Sequence, residues 1–187
     1  MTRDQILDAA AQIFSQKGFH ATSMQDIAQA VRLQKGSLYH HVTSKQEILV
    51  DVLNRALDML IEHIEGVSGR PLPPDEKLRQ AMQAYLIAML EHRDLAAVML
   101  LEYRSLEPAY QSRHIPRRDR FEHLWRDLIQ EGLDQKIFSC EDPGMASRAL
   151  LGVMNWTITW YRPEGSYSAE KIAGQFADLY LRGLLQR

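Results

Sequence analysis

Between Thr22 and Lys45 the chain reads TSMQDIAQAVRLQKGSLYHHVTSK, a short span crowded with amide, hydroxyl, phenol, imidazole and ammonium groups. Gln34, Lys35, Ser37, Tyr39 and His40 offer donors, acceptors and charge, while Leu38 is the one clear core anchor among them. Such a face suits duplex DNA, where ammonium and hydroxyl groups grip phosphate oxygens and side-chain edges reach bases. Gly36 stands in the middle, although Ala would favour a helix by roughly 0.8–1 kcal/mol. Either backbone must come close to a phosphate there, or the position tolerates glycine.

A reading face needs a helix to seat it and a turn to aim it. Thr22 is the expected N-cap of a first helix, with Gln25 completing a capping box. Met24, Ile27, Ala28 and Val31 then recur at helical spacing and form an apolar stripe. The second helix is expected from Gln34 to about His41. Two short helices joined by a tight turn make a helix-turn-helix.

At these residues the chain resembles the TetR family of bacterial transcriptional repressors. The resemblance runs from Ile6 through Ala9, Phe14, Gly18, Thr22, Ile27 and Ala28 to Lys35-Gly36-Ser37-Leu38-Tyr39-His40 and Ser44-Lys45. It implies an all-α homodimer with a three-helix DNA-binding head, residues 1–46, and a ligand-binding and dimerising body, residues 47–187, about nine helices in all. It also implies DNA contacts at Thr22, Gln34, Lys35, Gly36, Ser37, Tyr39, His40 and Lys45. Arg32 stands where the family's turn has Gly, Gln34 where Ser or Thr caps the second helix, and Val42 and Thr43 where Phe and Pro are common. A left-handed Arg32 would carry some strain.

The chain has 187 residues, 45% hydrophobic and 25% charged, enough for a sizeable core in one or two domains. Its formal net charge of −2 gives DNA binding no independent support. Arg3, Lys17, Arg32, Lys35 and Lys45 of the head are nearly balanced in charge by Asp4, Asp8, Asp26 and Glu47. The lone Cys140 excludes an intramolecular disulfide and fits a reducing compartment. Acidic residues in the first helix argue against a signal peptide, and the longest apolar run, Leu150 to Trp160, is too short to span a bilayer. The expectation is a cytoplasmic protein with no membrane partner.

Beyond the head the pattern is helical throughout. Ser44 and Glu47 are read as a capping box opening a long helix to Gly66, followed by a linker, GVSGRPLPP. Further helices are expected from Asp75 to about His92, Leu95 to Tyr103, Pro108 to Gln135 with a break or kink at Pro116, Pro143 to Tyr161 and Ser168 to Leu185. The segment Pro143 to Tyr161 is apolar on almost every side, so one side should face a partner subunit. Val153 and Trp160 there, with Ile172, Phe176, Leu179, Tyr180 and Gly183 of the last helix, form the expected dimer interface; the family resemblance implies the same bundle.

Met82, Tyr85, Leu86, Met89, Tyr103, Phe121, Trp125 and Leu128 combine thioethers with aromatic faces, as either plain core or an adaptable pocket would. Asn155 and Thr159, one turn apart, would hydrogen-bond a ligand, each other or their dimer counterparts. RDRFEHLWRDLIQEG and LGVMNWTITWYRPEGSYS resemble segments of a TetR subgroup answering to acyl-CoA thioesters, which implies a small hydrophobic effector of that class. Arg104, Arg113, Arg117, Arg118 and Arg120 would either meet a CoA tail or form a solvated face.

Enzyme chemistry finds no footing. Lys35-Gly36-Ser37 resembles the end of a phosphate loop but lacks its upstream glycine, and no His or Cys pair has metal-ligand spacing on one helix face. No catalytic residue, metal or cofactor is expected. A helical protein-interaction adaptor would share the body but has no use for the Lys35 to His40 face.

Overall fold

The computed structural model describes residues 2–185, which form nine α-helices and one 3-10 turn. The helices are α1 (Arg3–Lys17), α2 (Met24–Ala30), α3 (Lys35–Leu38), α4 (Lys45–Ser68), α5 (Pro74–Glu91), α6 (Arg93–Leu101), α7 (Pro108–Asp134), α8 (Pro143–Trp160) and α9 (Ala169–Leu184), with the 3-10 turn at Tyr103–Ser105. The fold is all-α; among the described residues β pairing is confined to an isolated bridge between Phe138 and Leu185. No helix among the described residues is long and apolar enough to cross a membrane.

Local chemistry sets several ends differently from the sequence pattern. Ser23, not Thr22, caps α2: its hydroxyl accepts the Asp26 N–H at 3.1 Å, and the Asp26 carboxylate accepts the Ser23 N–H at 2.8 Å. Thr22 instead donates its hydroxyl to the Gly18 carbonyl at 2.8 Å, closing the turn after α1. Helix α3 stops at Leu38, short of His41, because His40 and His41 donate to Ser37 and Leu38 in tight i→i+3 turns. Arg32 has φ 55°, the left-handed conformation expected where the family places glycine. At α4 the expected capping box is split: Ser44 Oγ accepts the Glu47 N–H at 3.0 Å, while the Glu47 carboxylate accepts from the N–H and hydroxyl of Thr43. Helix α4 runs on to Ser68, past Gly66, and α7 continues through Pro116.

The chain divides into two compact units. The first comprises residues 1–58 and 92–118, the second residues 59–91 and 119–187. This division differs from a boundary at 46/47 because α6 packs along α1, and Val98 and Leu106 join Ile6, Phe14, Ile27, Leu38 and Leu49 in one core.

Within the first unit His114 of α7 is buried, its Nδ1 2.9 Å from Asn54 Oδ1 on α4 and its ring against Tyr103. Burial, then the positive Arg118 and Arg117, lowers its pKa from 6.5 to about 4, against Asp58, which raises it. The folded state therefore keeps a neutral ring at pH values where the unfolded chain binds a proton. That contribution is complete above pH 6.5 and is lost as pH falls towards 4. Glu47 acts lower down: burial raises its pKa, but hydrogen bonds from Thr43 and Arg3 outweigh this and hold it at about 2. Urea unfolding at stepped pH should show stability falling between pH 6.5 and 4, and His114→Gln should flatten that fall. An equally steep fall in the variant would place the titration elsewhere.

In the second unit α5 packs along α9 and touches α8. Tyr85, Phe121 and Trp125 form its aromatic centre, with Tyr85 and Trp125 edge to face at 5.5 Å. The buried Lys77 of α5 donates to both carboxylate oxygens of Glu131 on α7, at 2.7 and 2.9 Å.

Candidate functional site

The helix-turn-helix presents a polar face. Gln34, Lys35, Gly36 and His40 are exposed, Tyr39 is 46% exposed, and Ser37 is half-buried beside the anchored Leu38. Gln34 occupies the N-cap position of α3 but makes no side-chain cap bond, which leaves its amide free to reach outward. Two expected contacts stand differently. Thr22 is 1% exposed and its hydroxyl is spent on Gly18, so it is a packing residue. Lys45 points inward, its Nζ 2.8 Å from the Phe19 carbonyl oxygen and 2.6 Å from that of Thr22.

A methyl group added at Gly36 would meet no atom of this chain within 4 Å, so packing does not require the glycine. Something outside the chain must come close, or nothing selects it. Gly36→Ala should leave thermal stability unchanged or raise it by up to about 1 kcal/mol, while weakening DNA binding. A variant that binds DNA like the wild type would remove the close backbone approach.

The second unit contains a cavity of about 280 Å³ between α7 and α8. Glu122, His123 and Arg126 line it from α7, and Ser147, Arg148, Leu151 and Asn155 from α8. Arg126 and Arg148 are exposed and have no carboxylate partner among the described residues. Asn155 accepts the Tyr85 hydroxyl through Oδ1. Burial drives the Tyr85 pKa far upward, so this phenol stays a donor. Beyond Tyr85, the fully buried Trp125 holds an indole N–H with no acceptor among the described residues. A buried unpaired donor costs on the order of 1–3 kcal/mol, and such a group next to an aromatic cluster suits a site that completes itself on binding.

Only Asn155 of the expected pocket residues lines this cavity. Met82, Tyr85, Leu86, Met89, Phe121, Trp125 and Leu128 are buried in the core of the unit. Thr159 is exposed and bonds its own helix, donating to the Trp156 carbonyl. Tyr103 belongs to the first unit, where its hydroxyl accepts from Arg118 at 3.0 Å. The arginine run is largely occupied: Arg113 pairs with Asp51, Arg117 with Asp58 and Arg120 with Glu65. Arg126, Arg148 and His123 also line the cavity and are not among the residues the sequence singles out. Their signal was their spacing: Arg126 adjoins Trp125, and Arg148, Leu151 and Asn155 recur on one side of α8.

Helices α8 and α9 also carry an uncovered apolar face. Met145, Val153, Trp156 and Trp160 are exposed on α8, and Leu179 on α9. Gly183 is exposed, Phe176 and Tyr180 are half-buried, and the Tyr180 hydroxyl donates to the Ala146 carbonyl of α8. Ile172 is 4% exposed, so its surface is already used within the protomer. An apolar hollow of about 60 Å³ opens among Met82, Leu150, Phe176 and Leu179. An exposed patch of this kind on a folded chain marks an interaction surface.

Comparison with known proteins gives this arrangement its family. Residues 6–52 match the model of bacterial regulatory proteins of the tetR family, and residues 71–184 match that of the tetracyclin repressor-like C-terminal domain. The chain belongs to the TetR family. Among relatives, it is similar to the HTH-type transcriptional repressor KstR2 of Mycolicibacterium smegmatis, with 31% identity covering 98% of this chain and 91% of the relative. Among solved structures it resembles the TetR family regulator PfmR of Thermus thermophilus, with 40% identity, a TM-score of 0.89 and coverage of 98% of this chain and 100% of that one. It also resembles AibR in complex with isovaleryl coenzyme A and operator DNA, with 25% identity, a TM-score of 0.86 and coverage of 98% and 97%. The polar face around α3 is thus the helix-turn-helix of a TetR-family transcriptional repressor. The α7–α8 cavity and the α8–α9 face both fall within the segment matching the family's C-terminal domain.

Proposed function

We propose that this protein is a cytoplasmic homodimeric repressor that leaves a two-fold symmetric operator when an amphipathic anion, of the acyl-coenzyme A class, enters the α7–α8 cavity. The observation that carries the reading is the pair of exposed guanidinium groups, Arg126 of α7 and Arg148 of α8, which line one cavity and outnumber its one carboxylate, Glu122. A guanidinium holds phosphate oxygens through a planar fork of donors. The pantetheine arm would extend past Leu151 and Asn155 towards Tyr85 and Trp125, its thioester carbonyl would give the Trp125 N–H an acceptor, and the acyl chain would continue beyond it. The AibR complex supports the ligand class and the DNA partner, since that relative was solved with isovaleryl coenzyme A and operator DNA; release itself rests on the titration of operator-bound protein.

In this reading residues 1–46 read DNA through Gln34, Lys35, Gly36, Ser37, Tyr39 and His40. Residues 47–187 bind the effector and pair the protomers through Val153, Trp156, Trp160, Leu179 and Gly183. Two heads then lie in successive major grooves, as helix-turn-helix dimers do. Effector binding tilts α4 and changes the separation of the heads. The effector must bind the released state more tightly than the operator-bound state, for otherwise it shifts nothing.

Titration of operator-bound protein with dodecanoyl-CoA, free CoA and dodecanoate tests the assignment. The thioester should release DNA where neither half does so alone, and the double variant Arg126→Gln/Arg148→Gln should keep operator affinity while losing release. Release by dodecanoate alone, or undiminished release of the double variant, would remove the coenzyme A part of the proposal.

A further inference from the structure

Lys45 and Arg3 are two cations of the first unit whose charges are turned towards the protein. Lys45 begins α4, and its ammonium has three donors. Two reach the carbonyl oxygens of Phe19 and Thr22, and the group lies 4.3 Å from the centre of the Phe19 ring. Those carbonyls belong to the turn between α1 and α2, which the Thr22 hydroxyl holds closed. Arg3 of α1 works on the other side. One terminal nitrogen donates to the His41 carbonyl, just past α3, and the other to the carboxylates of Glu47 and Asp51 on α4. The entrance and the exit of the helix-turn-helix are thus each tied by one cation to the first two turns of α4.

We propose that Lys45 and Arg3 are positioning residues, two clasps that make the helix-turn-helix follow α4, and that Lys45 holds the α1–α2 turn rather than a DNA phosphate. The inference deepens the proposed function by naming how movement of α4 reaches the reading face. With two donors on carbonyls and the remaining side of the ammonium over an aromatic ring, Lys45 keeps little to offer a phosphate. Burial lowers the Lys45 pKa, as expected for a cation drawn out of water, while Asp26 opposes that shift. Loss of either clasp frees one end of the reading unit from α4, so effector binding no longer moves both ends together.

The salt dependence of operator binding separates a clasp from a phosphate contact without any effector. A lysine on phosphate contributes about 0.9 to the slope of log affinity against log salt. Lys45→Met keeps the stem over Phe19 and removes the donors; it should weaken operator binding on the order of tenfold while leaving that slope as in the wild type. Lys45→Arg serves as the second variant. Arginine would rescue a phosphate contact, but its rigid fork does not fit the site that a compact ammonium occupies between two carbonyls. In the same proteins dodecanoyl-CoA should bind the free variant as it binds the wild type, while the ratio of operator affinities without and with it shrinks. A slope shallower by about 0.9 per protomer, or full rescue by Lys45→Arg, makes Lys45 a phosphate contact and overturns the clasp. Operator affinity of Lys45→Met equal to wild type overturns it as well. If dodecanoyl-CoA leaves even the wild type on DNA, the effector assignment fails and the slope still decides the clasp.

Discussion

Protein carrying Trp156→Glu and Leu179→Glu is expected to sediment as a folded monomer and to bind operator on the order of 10²- to 10⁴-fold more weakly. Trp156 is 66% exposed and Leu179 71% exposed, so neither substitution removes packing that the protomer uses. In the dimer each would place a carboxylate in an apolar contact with no partner for it, at a cost no association of this kind withstands. DNA binding falls with association because the second half-site is reached through the effective concentration that dimerisation supplies. These positions are better probes than Phe176 and Tyr180, which sequence spacing also favours. Tyr180 bonds Ala146 and both rings are half-buried, so charging them would disturb the protomer as well. A double variant of unaltered dimer mass would move the interface off this face.

The second large effect is at Trp125. Complete burial against Tyr85 and Phe121 means that Trp125→Ala should cost about 3–5 kcal/mol, lowering the thermal midpoint by roughly 6–20 °C and confounding any test of ligand response. Trp125→Phe is the cleaner change, since it keeps an aromatic ring and removes the N–H that lacks an acceptor. The variant should hold operator as the wild type does and release it only at higher dodecanoyl-CoA, on the order of tenfold. Release at the wild-type concentration would make the indole ordinary core. Calorimetric midpoints of the three proteins, read beside the release titrations, separate the stability effect from the binding effect.

Much of this fold was legible in the sequence, for reasons that can be named. Helices α8 and α9 announce themselves through Pro143 and Ser168 at their starts and apolar stripes after them, and α5 through the proline-rich linker before it, although Pro74, read as linker, is its first residue. The exposed polar face around α3 was legible because only Leu38 of its residues is buried. The errors arose where two residues compete for one role. Thr22 and Ser23 are adjacent capping residues, and Ser23 wins because Asp26, three residues on, returns the bond. For Lys45, which the resemblance implies as a DNA contact, the carbonyl partners lie 26 and 23 residues away, where no local pattern reveals them. The same holds for the arginines of α7. Asp51, Asp58 and Glu65 recur every seven residues along α4, and each neutralises an arginine that sequence alone leaves exposed. Arg126 and Arg148 stayed hidden for the opposite reason, since only the packing of α7 near α8 brings them to one cavity.

Hydroxyl-radical footprinting of genomic DNA fragments retained by the purified protein decides whether the face around α3 reads a two-fold symmetric operator. Two protected half-sites of inverted sequence are expected, related by a two-fold axis and separated by about one or a multiple of one helical turn, with protection lost on both when Gln34, Tyr39 and His40 are replaced by Ala. Retention without a shared inverted sequence, or a footprint that survives those substitutions, would contradict that role of the face.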